Sequence, residues 1–200
     1  MASPLLIAAL CMGKRHTGAF LFCFAGMGMC LLSAYLNTFL AALYGADAFA
    51  ATVEIAPVVE EGMKLLPLLF YLLVFEPQAR QIGIAAVITA LSFATFENIC
   101  YLIQNGAAHF SFIFFRGIGT GAMHVICGAI VGGGLAYVWR RTWLKIAGTC
   151  GLLGAAITFH AIYNLLIAYG GTAQYIAYLL PVGILAAGKL IARYLKAEES

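Results

Sequence analysis

The stretch Ala56-Pro57-Val58-Val59-Glu60-Glu61-Gly62-Met63-Lys64 lies inside an apolar run long enough to cross a membrane. It carries two adjacent carboxylates and, one turn later, an ammonium. Charges at that depth cost about 2.5–3.5 kcal/mol each on insertion scales. A helix that only has to span gains nothing by carrying them, so the stretch reads as a functional site. The rest of the chain is then read for what reaches it.

Composition sets the class. Of 200 residues, 64% are hydrophobic and 10% charged, where soluble domains carry about 25% charged residues. The apolar runs are about twenty residues or longer and lack period-two alternation, which means helices rather than a barrel. The expectation is an all-α polytopic membrane protein, a single integral-membrane domain over 1–200. About six transmembrane helices follow a short N-terminal hydrophobic segment. The spans are drawn at 17–43, 51–75, 82–103, 110–139, 143–169 and 173–194. Pro4 to Met12 is too short to span and precedes Lys14 and Arg15, with no cleavage site after it, so it is not read as a signal peptide. The net charge of +3 comes from short loops and gives no nucleic-acid signal. The six cysteines are scattered without a CxxC and read as small buried apolar residues.

Loop charges set the directions of the spans. Lys14 and Arg15 precede the first, Arg80 lies between the second and third, and Arg140, Arg141 and Lys145 lie between the fourth and fifth. Lys189, Arg193 and Lys196 cluster at the end of the sixth. The connections around Tyr44–Ala50, Gln104–His109 and Gly170–Gln174 hold no Lys or Arg. The positive-inside rule then puts both termini in the cytoplasm. Small residues at helix-contact spacing (Gly117 and Gly121, Gly128 and Gly132, then Gly148, Gly151 and Gly154) let helix backbones approach closely in lipid. Arg116-Gly117-Ile118-Gly119-Thr120-Gly121 is expected to interrupt its helix with non-helical backbone beside protein or a water-filled cavity.

With directions assigned, the buried polar groups share a depth. Glu60 and Glu61 lie some way down the second span, ~15 Å from its start at 1.5 Å per residue. Glu97 and Asn98 lie near the outer end of the third, His124 follows the glycine-rich stretch in the fourth, and His160 and Asn164 lie in the outer half of the fifth. Four helices deliver carboxylates, imidazoles and amides to one layer. Glu60 and Lys64, Glu97 and Tyr101, and His160 and Asn164 are each four apart, hence on one helix face. Phe93, Phe96 and Tyr163 are candidates for an apolar wall. Each residue also has a structural reading: Lys64 neutralises Glu60, Arg116 neutralises Glu97, and the amides and imidazoles join helices. Taken together the set is a functional site, because ionisable groups within a membrane mark one by default.

The order of motifs resembles the PrsW family of intramembrane proteases. Glu60-Glu61-x-x-Lys64 is similar to its first motif and Phe93-x-x-Phe96-Glu97-Asn98-x-x-Tyr101 to its second. Arg116 with Met123-His124 and Gly128 is similar to the third, and His160-x-x-Tyr163-Asn164 to the fourth. The spacing to Lys64 favours this family over the related CAAX-type and bacteriocin-processing proteases. The resemblance implies a CAAX-protease-like helical core in a bacterial or archaeal cytoplasmic membrane. It implies regulated proteolysis of a membrane-protein substrate, such as site-one cleavage of an anti-sigma factor. It also implies that Glu60, Glu61, Glu97, His124 and His160 line the active site, with Lys64, Asn98, Arg116 and Asn164 in support.

The corresponding mechanism is hydrolysis of a peptide bond in or beside a transmembrane segment by glutamate-activated water. Either Glu61 or Glu60 takes the proton. His124 and His160, helped by Asn164 or Asn98, donate to the oxyanion, a contribution of ~3–4 kcal/mol per donor. No Ser or Cys is placed as a nucleophile; Cys127 is one turn from His124 without an evident activating geometry. The alternative is a zinc peptidase in which His124, His160 and Glu97 bind the metal and Glu61 is the base, although no HExxH is present. A proton or cation transporter is the rival class, built from the same residue types. Against it, the carboxylates sit in one layer rather than along a path across the bilayer.

Overall fold

The computed structural model describes residues 14–106 and 110–198. The Pro4–Met12 segment and His109 lie outside the described residues. Among the described residues all regular structure is helical. Lipid offers no partner for backbone N–H and C=O groups, so each apolar run must satisfy them internally as a helix. The chain forms α1 (Lys14–Tyr44), α2 (Ala48–Ala50), a π-helical segment (Ala51–Ile55), α3 (Ala56–Phe75), α4 (Ala79–Asn105), α5 (Phe110–Val138), a 3-10 turn (Thr142–Leu144), α6 (Lys145–Tyr169) and α7 (Gly171–Glu198). This is a polytopic helical membrane protein. The stretches Gly18–Tyr44, Ala79–Gln104, Ile113–Val138, Thr142–Tyr169 and Gly171–Gly188 are long and apolar enough to cross a membrane. Helix α3 has 20 residues, enough for the hydrocarbon layer, but its Glu60, Glu61 and Lys64 interrupt the apolar character.

The helix ends are written in local chemistry. The Asp47 carboxylate accepts from Ala50 N–H at 2.8 Å and caps α2. Gln78 and Gln81 form a reciprocal capping box at the start of α4. Gly170 and Gly171, with φ of 70° and 56°, turn the chain from α6 into α7 through left-handed backbone that a Cβ would disfavour.

Packing follows the small residues, though not all of those singled out. Gly128 and Gly132 of α5 lie against Ala90, Ala86 and Gly83 of α4, and Gly134 lies against Leu152 of α6. Gly117, Gly121, Gly151 and Gly154 have open space where a Cβ would stand. The expected break at Arg116–Gly121 does not occur: α5 is continuous from Phe110 to Val138. Each glycine costs the helix about 1 kcal/mol, but opening the backbone in lipid would orphan several hydrogen-bonding groups at greater cost. Gly119 serves packing instead, since a Cβ there would meet Tyr178 of α7 and the Tyr163 hydroxyl. Leu65, Leu68 and Leu72 of α3 join Ile82, Val131 and Leu135 in the apolar core. Outward faces such as Leu21, Phe70 and Ile146 are exposed, as lipid contact requires.

Candidate active site

Adjacent residues on a helix point about 100° apart, so Glu60 and Glu61 face different surroundings. Glu60 lines a cavity of 680 Å³. Glu61 does not line it and is 3% exposed. Lys64 stands one turn from both, and helix geometry permits either pairing. Its Nζ donates to Glu61 Oε1 at 2.6 Å and also contacts His124 Nδ1 at 2.7 Å. The sequence reading that pairs Lys64 with Glu60 is therefore corrected. His124 lies on the Glu61 side, so one ammonium position serves two acceptors there. The Lys64 Nζ also sits 5.0 Å from the centre of the Phe93 ring, a cation–π contact that helps hold it.

Two imidazoles complete the inner layer. His160 of α6 places Nδ1 at 2.8 Å from Glu61 Oε1. The carboxylate can only accept, so Nδ1 carries the proton and Nε2 keeps its lone pair. That Nε2 faces Glu60 Oε2 at 3.8 Å. His124 of α5 accepts at Nδ1 from the Lys64 ammonium and donates from Nε2 to Glu97 Oε2 at 2.8 Å. The two rings meet edge to face, 5.0 Å between centres.

These contacts leave one oxygen unserved. Glu60 Oε2 is buried and has no hydrogen-bond partner among the described residues. Ligand atoms of Glu60, His124 and His160 lie within 4.8 Å of one another. A carboxylate and two imidazoles are a recognised zinc donor set, and an unpartnered carboxylate oxygen facing an imidazole lone pair is a natural cation position. Glu60 Oε2 and His160 Nε2 offer free lone pairs, and His124 adds a third when the ion replaces either the Lys64 ammonium at Nδ1 or the proton that Nε2 shares with Glu97. With that exchange the three residues fit a divalent metal. The sequence reading puts Glu97 in this set; the structure puts Glu60 there. Glu97 is already engaged, by His124 on one oxygen and by Arg116 Nη2 at 3.6 Å on the other.

Glu60, Glu97, His160 and Arg116 all line the cavity, together with Thr120 and Tyr163, whose hydroxyls lie 3.1 Å apart. The Arg116 guanidinium stacks 3.6 Å from the centre of the Tyr101 ring. Phe93 and Tyr163 are buried beside the site, whereas Asn98 and Phe96 do not line the cavity. Asn37 of α1 is a residue that sequence reasoning missed. Its Nδ2 donates to Glu60 Oε1 at 3.3 Å. The available signal is that it is the only carboxamide in the first apolar run, some ~10 Å below its outer end at 1.5 Å per residue.

Asn164 has a structural task that spacing alone did not show. In the π segment Ala56 N–H bonds Ala51 O. The next donor in that register, for Thr52 O, would be residue 57, and Pro57 has no N–H. Thr52 O is thus orphaned by its own helix, and Asn164 Nδ2 supplies the bond at 3.0 Å. Asn164 latches α6 to the segment that leads into the glutamate pair, one turn from His160. One of its two amide hydrogens is used there, and the residue also lines the cavity.

No curated protein and no solved structure matches the chain. Residues 14–187 match the family described as PrsW family intramembrane metalloprotease. That match runs through every helix carrying the carboxylates and imidazoles above, and the chain belongs to the PrsW family.

Proposed function

We propose that the chain hydrolyses a peptide bond in or beside a transmembrane segment of a membrane-protein substrate, at the floor of the 680 Å³ cavity. A single-span protein of the anti-sigma-factor type is the proposed substrate class. The carrying observation is the convergence of Glu60, His124 and His160 around a buried carboxylate oxygen with no partner among the described residues. These three would hold the metal, zinc by donor type. When bound, such an ion polarises a carbonyl and makes water more acidic.

The chain's own residues account for the proton movements. Glu97 takes a proton from the attacking water, its carboxylate oriented by His124 and Arg116. The water oxygen bonds to the carbonyl carbon, the C–N bond breaks, and Glu97 returns the proton to the leaving nitrogen. Arg116 donates to the carbonyl oxygen as charge develops there. Glu61 and Lys64 position the imidazoles: Glu61 fixes the tautomer of His160, and Lys64 bridges Glu61 to His124. The same unpartnered oxygen supports a second reading, a metal-free route in which Glu60 is the base.

Ala46, Asp47 and Ala48, from the connection that lacks Lys and Arg, form part of the cavity wall. The positive-inside rule supports an opening on the outer face with both termini in the cytoplasm. The test is cleavage of single-span substrates in reconstituted vesicles by wild type, Glu97→Gln and His160→Ala, with and without chelator. Both substitutions are expected to lower the rate by about 10²–10⁴-fold. Activity lost to chelator and restored by zinc supports the metal route. Insensitivity to a chelator shown to strip the protein supports Glu60 as base. Cleavage that survives both substitutions overturns the assignment.

A further inference from the structure

A second cavity, of 200 Å³, lies between α1 and α4 and shares Asn37, Glu60, Glu97 and Tyr101 with the larger one. Its origin is local. A Cβ at Gly26 would collide with the Thr89 carbonyl oxygen, so the backbones of α1 and α4 touch at that level. Further up α1, at helical spacing, the side chains facing α4 become Cys30, Ala34 and Asn37, and these line the space. Two are small, so the gap between the helices is not filled.

The lining divides by chemistry. Cys30, Leu31, Ala34, Phe93 and Cys100 supply an apolar side, and Asn37, Glu60, Glu97, Tyr101 and Gln104 a polar one. Leu31 is 55% exposed, and Ala34 is exposed too, so the mouth opens sideways where lipid contacts the helices. Between the two cavities stands Asn37. Its Nδ2 is held by Glu60, while its Oδ1 is buried with no partner among the described residues. A buried acceptor without a donor costs about 1–3 kcal/mol, and a main-chain N–H is the donor a polypeptide substrate brings. A cavity of about 150 Å³ is large enough for benzene, so this one, at 200 Å³, has the volume for one large side chain, which would lie along its Cys30–Phe93 side.

We propose that the α1–α4 crevice is the side-chain subsite of the protease. It takes a Leu, Met or Phe side chain from the substrate residue beside the cleaved bond, while Asn37 Oδ1 accepts from the substrate backbone. The proposal rests on the reading that Glu60 and Glu97 mark the point of cleavage. It names a substrate class, a segment with a large apolar residue at the cleaved position, entering from the side of the bilayer.

The test uses single-span peptides in proteoliposomes, varied from Gly to Leu at each position flanking the cleaved bond. Wild type is expected to prefer the large residue at one position by about tenfold or more, the scale of discrimination by an apolar pocket. Ala34→Phe fills the mouth of the crevice and is expected to lower that Leu-to-Gly ratio about tenfold. A ratio that Ala34→Phe leaves unmoved while cleavage continues overturns the subsite. A second measurement needs no turnover and covers a poorly folded Ala34→Phe. In His160→Ala protein, alkylation of Cys100 by N-ethylmaleimide is followed by mass spectrometry. The Leu peptide is expected to slow it several-fold relative to the Gly peptide; equal rates overturn the proposal. Failure of the underlying reading looks different, because His160→Ala and Glu97→Gln would then still cleave.

Discussion

The latch between Asn164 and Thr52 gives a prediction in which a proline explains why an asparagine is needed. Asn164→Ala removes the donor to Thr52 O, which neither Ala56 nor Pro57 can replace. A net intramolecular hydrogen bond is worth about 0.5–1.5 kcal/mol, and side-chain bonds between membrane helices average about 0.6 kcal/mol. This bond lies at an exposed position, so a loss of roughly 0.6–1 kcal/mol is expected. Pro57→Ala restores the missing N–H in the π register, five residues after Thr52. Pro57 is fully buried, so that substitution has packing costs of its own, which a double-mutant cycle cancels. In the Pro57→Ala background, Asn164→Ala should cost close to nothing, a coupling of about 0.6–1 kcal/mol. The assay is reversible unfolding in mixed detergent micelles for the four proteins. Equal costs for Asn164→Ala in both backgrounds would refute the reasoning. A loss of cleavage rate in Asn164→Ala that Pro57→Ala partly recovers would show that the latch also sets the position of His160.

Lys64→Met leaves the Glu61 carboxylate buried without its cation, and breaking such a pair costs about 3–5 kcal/mol; Lys64→Met with Glu61→Gln should recover much of that stability in the same unfolding assay. Gly26→Val places a Cβ against the Thr89 carbonyl of α4 and should destabilise by about 1–3 kcal/mol, with a lower midpoint of thermal unfolding. Glu60→Gln weakens the donor set and should lower the zinc bound by purified protein, measured by elemental analysis, whereas Asn98→Ala, outside the cavity lining, should not.

The class of fold was legible in composition and loop charge. In lipid a long apolar run has few alternatives to a helix, and few charges remain to set its direction. The residues that converge in the candidate site were legible for the same reason, because Glu60, Glu61, Lys64, Glu97, His124 and His160 are costly at such depth without a task. Not all of their partners were legible. Helical spacing allows Lys64 either glutamate, and the choice of Glu61 is made by His124, sixty positions away on another helix. The pairing of Arg116 with Glu97 was legible and is present at 3.6 Å, but spacing says nothing of the His124 bond to Glu97 or of which glutamate, Glu60, meets the two imidazoles. The glycines of α5 looked like a break, but helix continuity is decided by what the backbone would lose in lipid. Asn37 and Asn164 are ordinary amides in the chain. One meets the cavity and the other meets a carbonyl freed by a proline. Both outcomes depend on which helices become neighbours, and that is settled by packing across the bundle rather than by any local run of residues.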